Sequence, residues 1–167
     1  GMNSGDILLM SRPLGIGIFF AAQMRGITLF DSYRTIIKNL LTSQQKLIDD
    51  IYKLQDSLGK TIINASTDVT GFGLLGHLKE MVDASNNIKI KNNEKTIKAI
   101  IDLSLIKAYP EILKLIKSGI KSSLFNENKK IYDKLISQKL DKRSIIFAQP
   151  KYIIEKDFLE IIELILD

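Results

Sequence analysis

Short apolar segments of strand length alternate along this chain with longer stretches whose apolar residues recur at helical spacing. The predicted strands are 6–10, 61–65, 87–91 and 144–148. The predicted helices are 18–24, 32–56 (with Thr42-Ser43 as a candidate break), 71–83, 94–103, 109–118, 127–138 and 155–166. Strands separated by helices of about 10–15 residues indicate a sheet with helices packed on it. We therefore expect an α/β or α+β sandwich, in which the helices at about 32–56, 71–84 and 109–118 cover a mixed sheet.

The chain contains no cysteine and a single histidine, His77, among its 167 residues. The lack of thiols excludes a disulfide scaffold, a zinc finger, an iron–sulfur centre and a thiol nucleophile within this sequence. A single histidine also argues against a histidine-based metal site or a histidine-dependent triad. No apolar run approaches the ~20 residues that a membrane span requires, and no signal peptide is recognisable. We therefore expect a cytoplasmic protein.

The net charge of +5 comes entirely from the second half of the chain. Residues 1–86 carry eight basic and eight acidic side chains, whereas residues 87–167 carry sixteen basic and eleven acidic ones. Lysines alternate there with isoleucines, at Lys89, Lys91, Lys95, Lys98, Lys114, Lys117 and Lys121. A nucleic-acid surface usually clusters basic residues with aromatics on one face. We therefore expect a solvated outer face rather than a nucleic-acid surface, with an anionic ligand or polymer as the alternative.

The segment Ala65–His77 is the most informative candidate site, because it joins a predicted strand to a predicted amphipathic helix. Asp68 could hold Mg²⁺, a hard cation that uses few carboxylates and lets substrate phosphates complete its shell. Thr70 can cap the helix or donate to a phosphate. Gly71 and Gly73 permit close approach of a ligand or of another backbone. The alternative is that Asp68 or Thr70 only caps the helix and the glycines only permit tight packing.

Other features carry weaker signals. The turn at 13–17 opens a helix with a G-x-G pattern, which on its own is typical of an ordinary turn. His77 lies in an apolar helix and is expected to be a packing residue with one hydrogen-bond partner. The pair Phe19-Phe20 is expected in the core.

The segment Thr67–Leu78 reads T-D-V-T-G-F-G-L-L-G-H-L and continues through Glu80-Met81. It closely resembles the signature of the selenophosphate synthetases, or selenide, water dikinases, of the aminoimidazole-ribonucleotide-synthetase-like superfamily. The segments Gly5–Leu9 and Arg12–Ile18 resemble the start of that family's second domain, in the same order and at about the same spacing. Residues 1–167 are therefore expected to form a single domain that resembles the C-terminal domain of selenophosphate synthetase.

The resemblance implies a role in an ATP-dependent enzyme that converts ATP, selenide and water to selenophosphate, AMP and orthophosphate. In that family the second domain closes over the Mg²⁺-ATP phosphates, and Asp68 matches the aspartate that helps to hold the metal and phosphates. Thr67, Thr70, Gly71 and Gly73 match the loop around it. The family's catalytic cysteine or selenocysteine and its essential lysine lie in the first domain, so no catalytic residue is expected in this chain.

The same resemblance implies partners for the chain. One partner is the family's N-terminal domain, which is missing here. The other is a second copy of the longer protein that would contain both domains, since that protein is expected to form a homodimer. The isolated chain is expected to be inactive. The sequence also departs from the family: Arg12 replaces a usual lysine, Ile16 replaces a small polar residue, and residues 147–151 read F-A-Q-P-K instead of D-P-Q-T-S-G-G. The alternative hypothesis is a non-catalytic binding or regulatory module of a longer or fused protein.

Overall fold

A computed structural model describes residues 1–27, 30–102 and 105–137. Six α-helices form within these residues: α1 (Ile16–Met24), α2 (Phe30–Leu41), α3 (Gln45–Leu58), α4 (Gly73–Lys91), α5 (Ile112–Lys117) and α6 (Phe125–Ser137). The candidate break at Thr42-Ser43 is confirmed, because it separates α2 from α3. None of these six helices is long and apolar enough to cross a membrane. The predicted strand 144–148, the helix 155–166 and the departure at 147–151 lie outside the described residues.

The predicted sandwich with a mixed sheet is wrong for the described part of the chain, which forms helices and irregular segments but no β-strand. An isolated parallel bridge joins Leu14 to Ala108. The N–H of Leu14 donates to the carbonyl of Lys107 at 2.8 Å, and the N–H of Tyr109 donates to the carbonyl of Leu14 at 3.0 Å. These two hydrogen bonds do not extend into a ladder, so the described fold is α-helical rather than α/β or α+β.

The predicted strand 61–65 is irregular because a side chain takes its backbone donors. Gln55 of α3 accepts hydrogen bonds through its Oε1 from the N–H groups of Ile62 and Ile63, at 3.0 and 3.2 Å. A strand needs these groups for pairing with a neighbouring strand. The glutamine therefore satisfies the backbone of this segment without a sheet.

The predicted strand 6–10 begins instead with a local turn. The N–H of Asn3 donates to Asp6 Oδ2 at 2.7 Å, and the N–H of Asp6 donates to the carbonyl of Asn3 at 3.2 Å. The alternate apolar side chains of the segment, Ile7 and Leu9, are 84% and 85% exposed. A short apolar run is buried as a strand only when a sheet face or a core covers it, and the described residues provide neither here.

The predicted strand 87–91 forms the last part of α4, and the predicted helix 94–103 is irregular over its described residues. Extending an existing helix costs little compared with starting a new element, so α4 continues to a C-cap at Asn92. Beyond it, the side-chain amide of Asn86 donates to the carbonyl of Ile97 at 3.1 Å and accepts from its N–H at 2.7 Å. Both backbone groups of Ile97 are thereby satisfied outside a helix.

Two hydrophobic clusters form the interior of the described residues. The first joins α1, α2 and α5 and consists of Ile18, Phe19, Ala22, Ile36, Tyr109, Ile112, Leu115, Ile116 and Ile120. The second joins α4 and α6 and consists of Met2, Leu75, Leu78, Ile101 and Phe125. Leu14 and Ile106 pack against both clusters and so connect them. The single domain expected over 1–167 stays a prediction.

The lysine-rich surface faces solvent over most of its length. Five of the seven lysines are exposed, namely Lys91, Lys95, Lys98, Lys114 and Lys117. Lys89 is partly buried and donates to Asn3 and Glu94, at 2.9 and 3.2 Å. Hydrogen bonds from Asn92 and Lys89 lower the pKa of Glu94. These contacts give Lys89, in the last turn of α4, a structural role.

Gly15 allows α1 to begin in contact with α5. Its φ of +109° lies in the left-handed region, and a Cβ at this position would lie 2.6 Å from Cγ2 of Ile112. Glycine alone meets both requirements at no steric cost. Packing of α1 on α5 therefore accounts for the glycine that precedes α1 in the G-x-G turn.

We expect Gly15→Ala to lower the free energy of unfolding by about 2–5 kcal/mol, because positive φ costs an alanine about 1–2 kcal/mol and overpacking adds about 1–3 kcal/mol. Gly26→Ala is the matched control, since Gly26 has a φ of +72° but no atom within 4 Å of an added Cβ. The control should lose only about 1 kcal/mol. Urea unfolding of the two variants measures the difference, and equal losses would contradict the packing role of Gly15.

Candidate functional site

The loop of residues 67–72 leads directly into α4 and carries most of the predicted site. Thr67, Asp68 and Thr70 are exposed on this loop, whereas Gly73 is buried in the first turn of α4. The φ of Gly73 is +65°, a conformation that favours glycine. The residues that the sequence predicted therefore lie on one continuous segment at the start of a helix.

No side chain of this loop caps α4. The N-cap residue is Phe72, and no side-chain hydrogen bond is made there. The N–H of Gly73 donates instead to the carbonyl of Thr70 at 3.0 Å, which closes a turn of the loop. The interpretation of Asp68 or Thr70 as a simple N-cap is therefore wrong.

The hydroxyl of Thr70 contacts a buried histidine. Thr70 Oγ1 lies 3.0 Å from His77 Nε2, and His77 Nδ1 lies 3.2 Å from Glu80 Oε2. His77 is only 7% exposed, and its ring centroid lies 5.6 Å from that of Phe72. His77 is thus a packing residue, as expected, but it has two polar partners rather than one. One of these partners is on the candidate site loop.

Helix α6 holds the other side of the loop. The buried Asn128 donates through its Nδ2 to the carbonyl of Gly71 at 2.9 Å. A Cβ on Gly71 would lie 2.6 Å from Cδ1 of Leu124, so the loop approaches the segment just before α6 closely, although this leucine is 42% exposed and its side chain could turn away. Asn128 is a site residue that was not predicted from the sequence. Its signal was a polar residue three positions after Phe125 and four before Tyr132, on the apolar side of an amphipathic helix.

Asp68 is the side chain of this loop that suits a metal ion. Its carboxylate is exposed, and no described residue donates a hydrogen bond or forms an ion pair to it. Over the ranges that the structure describes, no three acidic or histidine side chains group closely enough to hold a metal ion. Mg²⁺ often takes only one or two carboxylates, with waters and substrate phosphates as its other ligands. Asp68 therefore fits one ligand of a Mg²⁺–phosphate site, not a complete site.

The loop is open to solvent on its outer side. Two shallow cavities in the described part of the chain lie elsewhere, one between residues 6–8 and 62–65 and the other beside residues 1–3 and the end of α4. Neither cavity is lined by Asp68 or by another predicted site residue. A phosphate on this loop would remain in contact with water, where charge–charge interactions are weak.

Comparison with known proteins finds relatives for most of the chain. Residues 3–104 match the protein family described as AIR synthase related protein, C-terminal domain. A protein of Myxococcus xanthus (strain DK1622) named selenide, water dikinase is 32% identical over 136 residues, covering 78% of this chain and 34% of that protein. The protein of that name from Haemophilus ducreyi is 28% identical over 150 residues, covering 87% and 37%. The one from Aeromonas salmonicida is 39% identical over 82 residues, covering 49% and 22%.

The chain spans less than two fifths of the length of each of these curated relatives. The match to the protein family includes the loop before α4, because residues 67–73 lie within 3–104. The candidate site therefore falls in the part of the chain that the family match covers.

Proposed function

The chain belongs to the family of AIR-synthase-related C-terminal domains, and on this premise we propose that it closes over the Mg²⁺-ATP phosphates in a selenide, water dikinase. The match confirms the resemblance to selenophosphate synthetases that was predicted from Thr67–Leu78. The proposed reaction of the longer protein converts ATP, selenide and water to selenophosphate, AMP and orthophosphate. A cytoplasmic location is part of the proposal, because ATP is supplied there.

The observation that carries the proposal is an exposed carboxylate on a loop that two helices hold in place. Thr70 attaches the loop to α4 through His77, and Asn128 attaches it to α6 through the carbonyl of Gly71. A ligand that binds a loop already held in one conformation does not have to order it, which saves part of the free-energy cost of binding. The N–H groups at the start of a helix also favour anions such as phosphate.

Five residues at this site have a proposed role toward Mg²⁺ and the ATP phosphates. Asp68 supplies the negative charge that holds the cation. The hydroxyl oxygens of Thr67 and Thr70 would lie near the cation as further polar groups. Gly71 and Gly73 keep side chains away from the backbone on which the phosphates would lie. Bound Mg²⁺ would neutralise phosphate charge, which is the main requirement of phosphoryl transfer.

The rest of the active site is proposed to come from the N-terminal domain of the longer protein, which would also form a homodimer. The short coverage of the relatives supports this, since the chain matches between 22% and 37% of their lengths. The open loop supports it as well, because Asp68 alone cannot surround a nucleotide. We therefore place the catalytic residues outside this chain.

The isolated chain is expected to form no selenophosphate and to bind Mg²⁺-ATP weakly or not at all, because its phosphate contacts remain in water. The longer protein should release AMP from ATP in a selenide-dependent manner. AMP release with and without selenide measures the activity of the isolated chain and of the longer protein. Calorimetric titration measures their binding of Mg²⁺-ATP. Selenide-dependent ATP consumption by the isolated chain would contradict a divided site. A folded but inactive longer protein would favour the alternative, a non-catalytic binding or regulatory module.

A further inference from the structure

Three polar side chains of the site region lie in contact with one another in series. The carboxylate of Glu80, the imidazole of His77 and the hydroxyl of Thr70 follow one another at 3.2 and 3.0 Å. The middle member is buried, whereas Thr70 lies on the exposed loop beside Asp68. The series therefore connects Glu80 and His77 of α4 to the loop that is proposed to bind Mg²⁺ and phosphate.

The order of donors in this series follows from the chemistry of its ends. A carboxylate oxygen 3.2 Å from Nδ1 repels a lone pair there and favours a proton, so the proton of a neutral His77 is expected on Nδ1. Nε2 then has a lone pair and no proton. The contact at 3.0 Å can form only if the hydroxyl of Thr70 donates to Nε2. The one proton of that hydroxyl is thereby used inside the protein.

We propose that His77 is a positioning residue that fixes the Thr70 hydroxyl as an acceptor toward the ligand. A threonine hydroxyl has one proton and two lone pairs. With the proton donated to His77, the oxygen can interact with Mg²⁺ or with a water of its hydration shell, but it cannot donate to a phosphate oxygen. This inference rests on the proposed function only for the identity of the ligand, because the donor order is a property of the chain itself.

For Thr70 the sequence left open a role as helix cap and a role as donor to a phosphate, and the donor order excludes the second. A phosphate oxygen needs donors, which would then come from backbone N–H groups of the loop. A cation and its waters need acceptors, which Asp68 and Thr70 of the same loop would supply. Thr70 is thus assigned to the cation rather than to the phosphate.

Nitrogen-15 NMR of the 167-residue chain tests the donor order directly. His77 is the only histidine, so its two ring nitrogens can be assigned without ambiguity. At mildly alkaline pH we expect the neutral ring to be protonated at Nδ1. Thr70→Val should shift the Nε2 signal, whereas Asp68→Asn should leave it unchanged. A ring protonated at Nε2, or an Nε2 signal insensitive to Thr70→Val, would overturn the proposal.

A matched pair of substitutions tests the positioning role in the longer protein. The amide of His77→Gln reaches about as far as Nε2 and can accept from Thr70, whereas that of His77→Asn reaches only as far as Nδ1. Loss of this hydrogen bond costs about 1 kcal/mol, which corresponds to roughly fivefold in affinity. We therefore expect His77→Asn to weaken Mg²⁺-ATP binding roughly five- to tenfold, and His77→Gln to weaken it less than about threefold.

Melting temperatures of both variants separate positioning from folding. Equal losses of affinity in the two variants, matched by equal losses of melting temperature, would mean that His77 only packs. Asp68→Asn tests the proposed function independently. If it leaves Mg²⁺-ATP affinity unchanged while the NMR result stands, the ligand assignment fails but the role of His77 in orienting Thr70 does not.

Discussion

Replacing Asp68 by asparagine in the longer protein is expected to lower selenide-dependent ATP turnover at least roughly a hundredfold, with the melting temperature nearly unchanged. The side chain is exposed and has no described partner, so its loss should change the free energy of unfolding by no more than about 0.5 kcal/mol. Asparagine keeps the shape but not the charge that a Mg²⁺–phosphate group needs. Removing one preorganised electrostatic contact from an active site typically costs about 10²–10³ in kcat.

Asp56→Asn is the matched control for this prediction. Asp56 is also exposed and lies in α3, outside the loop of residues 67–72. The control should keep both its turnover and its melting temperature, which shows that loss of one surface charge is not enough to reduce activity. Equal turnover in Asp68→Asn and in the unmodified protein would remove Asp68 from the site, and the loop would then serve only to pack α4 against α6.

The largest loss of stability is expected for Phe19→Ala, at about 3–5 kcal/mol, because this side chain has no exposed surface and its removal leaves a cavity. Phe19 packs in the cluster of α1, α2 and α5, and its ring centroid lies 5.8 Å from that of Tyr33. Domains of this size are stable by only about 5–15 kcal/mol. Chemical denaturation should therefore show a much lower midpoint for this variant.

Phe20→Ala is the control for that measurement, since Phe20 is the next residue of α1 but is 46% exposed. We expect it to lose about 1 kcal/mol, because nearly half of this side chain is already exposed and its ring meets that of Phe19 edge-on, at 5.2 Å between centroids. If the two variants lost equal stability, the orientation of α1 over its cluster would differ from the one described. The expectation that both phenylalanines lie in the core is wrong for Phe20.

The helices were largely predictable from local sequence. The apolar residues of the stretch 32–56 recur at helical spacing, and Thr42-Ser43 marks the position where α2 ends before α3 begins. Gly59 ends α3 with a φ of +60°, the conformation that glycine commonly adopts at a helix C-terminus. Helical hydrogen bonds join residues four apart, so the information that forms them lies within a short window. Sheet formation is different, because a strand requires a partner that is distant in sequence.

The failed strands show this difference residue by residue. Ile88 and Ile90 alternate with lysines as in an edge strand, yet they lie in the last turns of α4 because the helix before them simply continues. The N–H of Ile62 donates to the side chain of Gln55, a contact that no pattern of apolar residues predicts. Local alternation is compatible with both outcomes, and only the available partners decide between them.

The candidate site divides in the same way. The sequence by itself determined that a carboxylate, Asp68, followed by two glycines would precede a helix, since residue type and order are enough to predict such a loop. Only the tertiary structure decided what holds that loop: His77 reaches back seven residues to Thr70, and Asn128 arrives from a helix fifty-seven residues away to bind Gly71. The physical reason is that hydrogen bonds depend on positions in space, and those positions exist only after α4 and α6 have packed together.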